Sequence, residues 1–210
     1  MIDPAQNDEN DAPEAIAARK GALRQNLRGA RAMMAHAAGP LAARRIAERG
    51  LALLRRLAVP EGAVVAGYHA VGQELDVIPL LRALDQAGFI TALPVVPEET
   101  GPLLFHRWRP GEPLKEGRFA VPVPAFAAPV TPQVVIVPLL GFDRRGFRLG
   151  QGGGHYDRTL AHLRANGDIV AIGAAYSGQE LDRVPREAHD APLDWILTDR
   201  ETIGPFTDGA

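Results

Sequence analysis

No cysteine occurs in the 210 residues, so the chain has no disulfide framework, no thiolate metal site and no cysteine nucleophile. That absence suits a reducing compartment, and a cytoplasmic protein is expected. No apolar run approaches the roughly 20 residues that a membrane-spanning helix requires. The opening stretch, MIDPAQNDENDAPEA, is acidic and lacks the basic-then-apolar layout of a secretory signal. A disordered acidic tail is expected over residues 1–13. A large charge of one sign is also missing. With a net charge of −2 and a pI near 6.3, the chain is unsuited to broad binding of nucleic acid or anionic membranes. Lysine is scarce: of 23 basic residues, only Lys20 and Lys115 are lysines. The histidines show no pair at metal-binding spacing, and no Ser-His-Asp order is evident. What remains is a chain with 46% hydrophobic residues and a mean hydropathy of −0.07, enough for one substantial core. A single domain is expected over residues 14–205.

The most informative stretch is 134–160, VVIVPLLGFDRRGFRLGQGGGHYDRTL. Val134 to Val137 form an apolar, β-branched run bounded by prolines, which suits a buried strand. From Tyr156 onward, Leu160 and Leu163 share a helical face. Between these elements, four of the five residues from Gly150 to Gly154 are glycine, Gln151 being the exception. So much glycine costs backbone entropy. The compensating gain is that bare backbone N–H groups can converge on an anion at a helix start, where the helix dipole also favours negative charge. Gly152 suits a close approach of phosphate oxygens and a positive φ. Arg148 adds a planar donor matched to phosphate oxygens. Asp157, just inside the helix, can serve as one of the few carboxylates that Mg²⁺ needs. The pattern points to a cradle for a Mg-nucleotide phosphate. A dinucleotide fingerprint would need glycine where His155 stands, and a Walker loop would need Gly-Lys before Ser or Thr. A flexible hinge leading into a helix is the remaining structural reading.

The rest of the chain alternates helices and strands. Helices are expected over Glu14 to about Met34 and over Leu41–Leu57, separated by a break at Gly39–Pro40. Lys20 and Arg24 lie one turn apart on the first of these, Arg28 continues that face and Arg31 lies near it; a solvated basic surface is the structural reading. A strand over Ala63–His69 leads through a loop into a helix over Asp76–Ala87, with Asp76 placed as its N-cap. Glu74 precedes that cap on the loop at the strand end, where ligands gather in open α/β sheets. Strands follow at Phe89–Pro94 and Leu103–Trp108, and residues 109–132 are expected as a long ordered loop. Ile169–Ala175 and Trp195–Thr198 complete the strands, with a polar loop over Tyr176–Val184 between them. This alternation predicts a three-layer α/β/α domain with a largely parallel sheet.

The motif P-L-L-G-F-D-x-x-G-x-R-L-G-x-G-G-G-x-Y-D-R-x-L, running without a gap from Pro138 to Leu160, strongly resembles the signature of the 5-formyltetrahydrofolate cyclo-ligase family. Weaker similarities extend from about Lys20 to Thr198. The resemblance implies the cyclo-ligase fold, ATP as co-substrate, Mg²⁺ as cofactor and a reduced folate as substrate, in a monomer or weak dimer. It implies that Lys20 and Arg24, with Arg148, Leu149, Gly150, Gln151, Gly152, Gly153, Gly154 and Tyr156, bind the nucleotide. Arg148 and Tyr156 would act in catalysis. Glu74, in Glu-Leu-Asp, would hydrogen-bond the pterin, whose amino and ring N–H donors a carboxylate can accept together. Phe119, His155 and Tyr156 would complete the folate side, and Asp190, in His-Asp, would join Asp157 on the metal. His155 departs from the family, which usually has an aromatic residue there. Two alternatives stay open: a nucleotide-binding paralogue that catalyses nothing, and an enzyme for another formylated or pterin-like compound.

Overall fold

The computed structural model describes residues 12–206, so most of the expected tail over 1–13 lies outside the described residues. Pro13 already belongs to a helix, α1, which runs from Pro13 to Arg56. The break expected at Gly39–Pro40 does not occur; Pro40 sits inside this 44-residue helix. A proline there removes one backbone donor and crowds the preceding turn, a local cost of about 3 kcal/mol. Packing on both sides outweighs it. Leu27 and Arg31 are buried before Pro40, and Ala42, Ala43, Ile46, Leu53 and Leu54 after it, while Pro40 itself faces solvent.

The strands that form the main sheet are β1 (Val64–Ala66), β2 (Ile90–Val95), β3 (Leu104–Arg107), β6 (Val134–Pro138), β9 (Val170–Ala175), β10 (Trp195–Thr198) and β11 (Thr202–Ile203). Their order is β11-β10-β9-β6-β1-β2-β3. The five inner strands pair in parallel, and both edge strands run antiparallel. Two short hairpins lie outside it: β4 (Leu114–Glu116) with β5 (Pro122–Pro124), and β7 (Gly141–Phe142) with β8 (Arg148–Leu149).

Successive residues of β6 point to opposite faces, as strand geometry requires. Val134 and Ile136 join the core under α1 and α2 (Ile78–Gln86), with Ile46, Leu54, Leu80 and Leu84. Val135 and Val137 join the core under α3 (His155–Asn166), with Leu160 and Leu163. Helices on both faces of a largely parallel sheet make the expected three-layer α/β/α arrangement.

Several details differ from expectation. The strand expected over Ala63–His69 is confined to Val64–Ala66, which frees Tyr68 and His69 to leave the sheet. Asp76 is not the N-cap of α2; that position is Val77, although Asp76 Oδ1 still accepts the Ile78 N–H at 2.9 Å. Residues 109–132 contain the β4–β5 hairpin and a 3-10 turn at Arg118–Ala120. A glycine permits a tight helix contact: a Cβ on Gly50 of α1 would meet Leu80 Cδ1 at 2.6 Å and Leu197 Cδ1 at 3.3 Å. Gly50→Val should therefore overpack the junction of α1, α2 and β10 and lower unfolding stability by about 1–3 kcal/mol, measured by urea denaturation.

Candidate active site

One cavity of about 570 Å³ opens at the carboxyl ends of the inner strands, bounded by Tyr68 beyond β1, Pro94 in β2 and Pro138 at the end of β6. This is where ligands bind in open α/β sheets. The β7–β8 hairpin carries Arg148 and Leu149 to its wall, and the glycine run connects β8 to α3. Gly152 has φ +104° and Gly154, the N-cap of α3, has φ +64°, so both need the freedom that glycine gives. No side chain caps the first turn of α3, which leaves its N-terminal end turned to the cavity without a resident acceptor of its own.

The front half of α1 forms the facing wall. Arg24 Nε donates to the Gly150 carbonyl at 2.9 Å, and Arg28 donates to Gln151 Oε1 at 3.1 and 3.2 Å. These bonds hold the glycine run against the helix. The buried Lys20 ammonium bonds Glu187 Oε2 at 2.8 Å and Asp190 Oδ2 at 2.5 Å. Arg148 is buried too. It donates to Asp157 Oδ1 at 2.7 Å and to the Ala191 carbonyl, while the Ala191 N–H donates to the same Asp157 oxygen at 3.2 Å. Burial lowers the Arg148 pKa from its ordinary value, and the Asp157 and Asp190 charges oppose that shift.

The other end of the cavity is less basic. Glu74 Oε2 accepts the Val71 N–H at 3.0 Å, and Oε1 lies 3.7 Å from Arg31 Nη1. Burial raises the Glu74 pKa, and the Val71 N–H and Arg31 oppose the rise. Tyr68 donates to the Leu75 carbonyl at 2.8 Å and so fixes the turn that carries Glu74. Tyr156 stands between the two ends, its pKa raised by burial and by the Glu74 charge. At the mouth, Phe119 is 70% exposed on a turn with φ +58°, its ring 6.2 Å from that of His155. Burial, then Arg158 and Arg118, lower the His155 pKa and so favour the neutral imidazole.

All the residues singled out from sequence line this one cavity: Lys20, Arg24, Glu74, Phe119, Arg148 to Asp157, and Asp190. Glu187, His189 and Asp190 offer ligand atoms within 4.8 Å of one another, whereas Asp157 is adjacent through Ala191 and engaged by Arg148. The carboxylate oxygens here suit a hard cation such as Mg²⁺. The Lys20 ammonium already shows that this corner stabilises positive charge. Sequence reasoning missed Glu187, which carries no motif signal. It also left Arg31 unassigned, although helical spacing places it on the face of Lys20, Arg24 and Leu27.

The sequence profile described as the 5-formyltetrahydrofolate cyclo-ligase family matches residues 16–199. The chain belongs to the 5-formyltetrahydrofolate cyclo-ligase family. It is 35% identical over 151 residues to the 5-formyltetrahydrofolate cyclo-ligase of Mycolicibacterium smegmatis, covering 68% of this chain and 76% of that one. It is 36% identical over 140 residues to the Escherichia coli K12 cyclo-ligase, covering 64% and 76%. Its fold is similar to that of Aquifex aeolicus 5,10-methenyltetrahydrofolate synthetase, with a TM-score of 0.67 and 28% identity over 91% of this chain and 94% of that one.

Within the cyclo-ligase cradle, the glycines are not equivalent. A Cβ on Gly150 meets nothing within 4 Å, whereas at Gly152 it would lie 3.3 Å from Arg24 Cζ on a backbone of φ +104°. Gly150→Ala should leave the melting temperature of the ligand-free protein unchanged, and Gly152→Ala should lower it, as two thermal scans would show.

Proposed function

We propose that this chain is a 5-formyltetrahydrofolate cyclo-ligase that converts 5-formyltetrahydrofolate to 5,10-methenyltetrahydrofolate, with ATP hydrolysed to ADP and phosphate. The observation that carries this reading is one cavity in which a glycine-rich helix start with cationic walls meets a pocket holding a largely buried carboxylate. The nucleotide phosphates take the first end and the pterin takes the second.

The formyl oxygen is a poor leaving group. It attacks the γ-phosphorus of ATP, ADP leaves, and the activated formyl carbon then accepts the lone pair of the neighbouring secondary amine. Phosphate departs with the former formyl oxygen, the amine loses its proton, and the five-membered ring is closed. Little covalent work falls to the protein in such a transfer; positioning and charge stabilisation carry it. The backbone N–H groups of Gly150–Gly154 and the Arg148 guanidinium face the transferring phosphoryl group. Lys20 and Arg24 offset the remaining phosphate charge. Tyr156, held neutral by burial, positions the folate beside the cradle. Phe119 and His155, at the mouth, cover the outer part of the folate. Mg²⁺, held by Asp157 and Asp190, would neutralise phosphate charge when bound.

The direct test is absorbance of the methenyl product from purified protein, 5-formyltetrahydrofolate, ATP and Mg²⁺. ATP binding without phosphate release in the presence of that folate would instead identify a non-catalytic relative. Within an active enzyme, Glu74→Gln should raise the folate KM by about tenfold, the value of one charged hydrogen bond, with little change in the ATP KM. Equal changes in both would assign Glu74 a structural role.

A further inference from the structure

Arg31 has no part in the machinery above, yet it is among the few charged side chains that are buried, at 6% exposure. Its surroundings do not satisfy it. Nη1 lies 3.4 Å from the Leu139 carbonyl, an oxygen that Gln179 Nε2 already engages at 2.9 Å. Nη1 is 3.7 Å from Glu74 Oε1, an ion-pair distance longer than a good hydrogen bond. Nε is buried with no partner. A guanidinium withdrawn from water costs several kcal/mol unless it is fully paired, so a merely structural arginine would not be expected here. Arg31 does not line the cavity; it lies behind Glu74, on the face of α1 that also presents Lys20 and Leu27.

We propose that Arg31 is the positioning residue of the Glu74 site: it supplies, from behind, the buried positive charge that keeps the Glu74 carboxylate anionic and aimed into the cavity. The inference rests on the assignment of Glu74 to the pterin. A protonated Glu74 would lose the acceptor capacity that a pterin amino group and ring N–H need. Among the described residues, the other titratable groups around this end of the cavity supply no positive charge to Glu74. Tyr68 is buried and Tyr156 half-buried, and desolvation, then the Glu74 charge, raise both phenol pKa values. Asp76, on the same loop, faces Tyr68 and Tyr176 and adds negative charge. Arg148 faces Tyr156 from the far side and is paired with Asp157. Arg31 is the cation in contact with Glu74, and it opposes the upward shift that burial imposes.

Removing Arg31 takes away an interaction that opposes the rise, so Glu74 takes up its proton at higher pH than in the wild type and loss of folate binding is displaced in the same direction. The test compares Arg31→Met and Arg31→Lys with wild type, measuring kcat/KM for 5-formyltetrahydrofolate and for ATP as a function of pH. Arg31→Met should raise the folate KM about tenfold at neutral pH, leave the ATP KM unchanged, and move the acid limb of the folate profile to higher pH. Arg31→Lys, which retains the charge without the planar fork, should move that limb less and in the same direction. If Arg31→Met does not fold, the lysine variant carries the test. An acid limb that stays at its wild-type position, or equal losses for folate and ATP, overturns the proposal. Glu74→Gln separates the two layers. If that change alone leaves the folate KM unaltered, the pterin assignment fails. If it raises the folate KM and Arg31→Met then adds a further tenfold, Arg31 does not act through Glu74. No added loss in the double variant is the expected result.

Discussion

The site depends on a buried ammonium between two carboxylates. Lys20 is carried by α1, Glu187 and Asp190 by the loop before β10, and these segments lie at opposite ends of the chain. The Lys20 ammonium would not be tolerated alone in so little water, since removing its partners leaves a buried charge without compensation. The consequences spread along the backbone. Asp190 Oδ2 also accepts the Glu187 N–H, the adjacent Ala191 bonds Asp157 and Arg148 through its N–H and carbonyl, and Arg148 reaches Asp157 directly. One continuous polar network therefore joins the first helix, the late loop, the β7–β8 hairpin and the start of α3. The front half of α1, which buries few apolar side chains, is held largely by this network and by the Arg24 and Arg28 bonds to the glycine run.

The cavity that results has opposite character at its two ends. Lys20, Arg24 and Arg148 converge near the glycines, while Glu74 lies near Tyr68 at the other. A polyanionic phosphate chain and a ring rich in N–H donors complement these ends in turn. The neutral surfaces between them, Tyr156 and His155 among them, add shape rather than charge. On the proposed reading, this division makes positioning, rather than a single reactive side chain, the dominant demand on the fold.

The parallel strands were legible because a doubly covered strand must be apolar on both faces, and 134–137 and 170–175 are. The glycine run was legible because its cost has few structural justifications. The continuity of α1 was not. Local sequence at Gly39–Pro40 favours a break, and only packing before and after it keeps the helix whole. The β4–β5 hairpin escaped notice because each of its strands has three residues, too short to display a period. Glu187 and Arg31 were hidden for a different reason. Their roles come from partners 167 and 43 residues distant in sequence, Lys20 for the first and Glu74 for the second, and spacing within one element cannot reveal such pairs.

Lys20, Arg24 and Arg31 sit on one uninterrupted stretch of α1, before Pro40, spanning about 16 Å along its axis. A single rod that touches both halves of a binding cleft makes them thermodynamically dependent. Any entropic cost of steadying that rod that is borne by one ligand is not borne again by the other. By linkage, any factor by which a ligand at one end sharpened affinity at the other would be matched in the reverse direction. On the proposed reading, synergy between the two substrates would arise from a helix that lines one end of the cavity and backs Glu74 at the other.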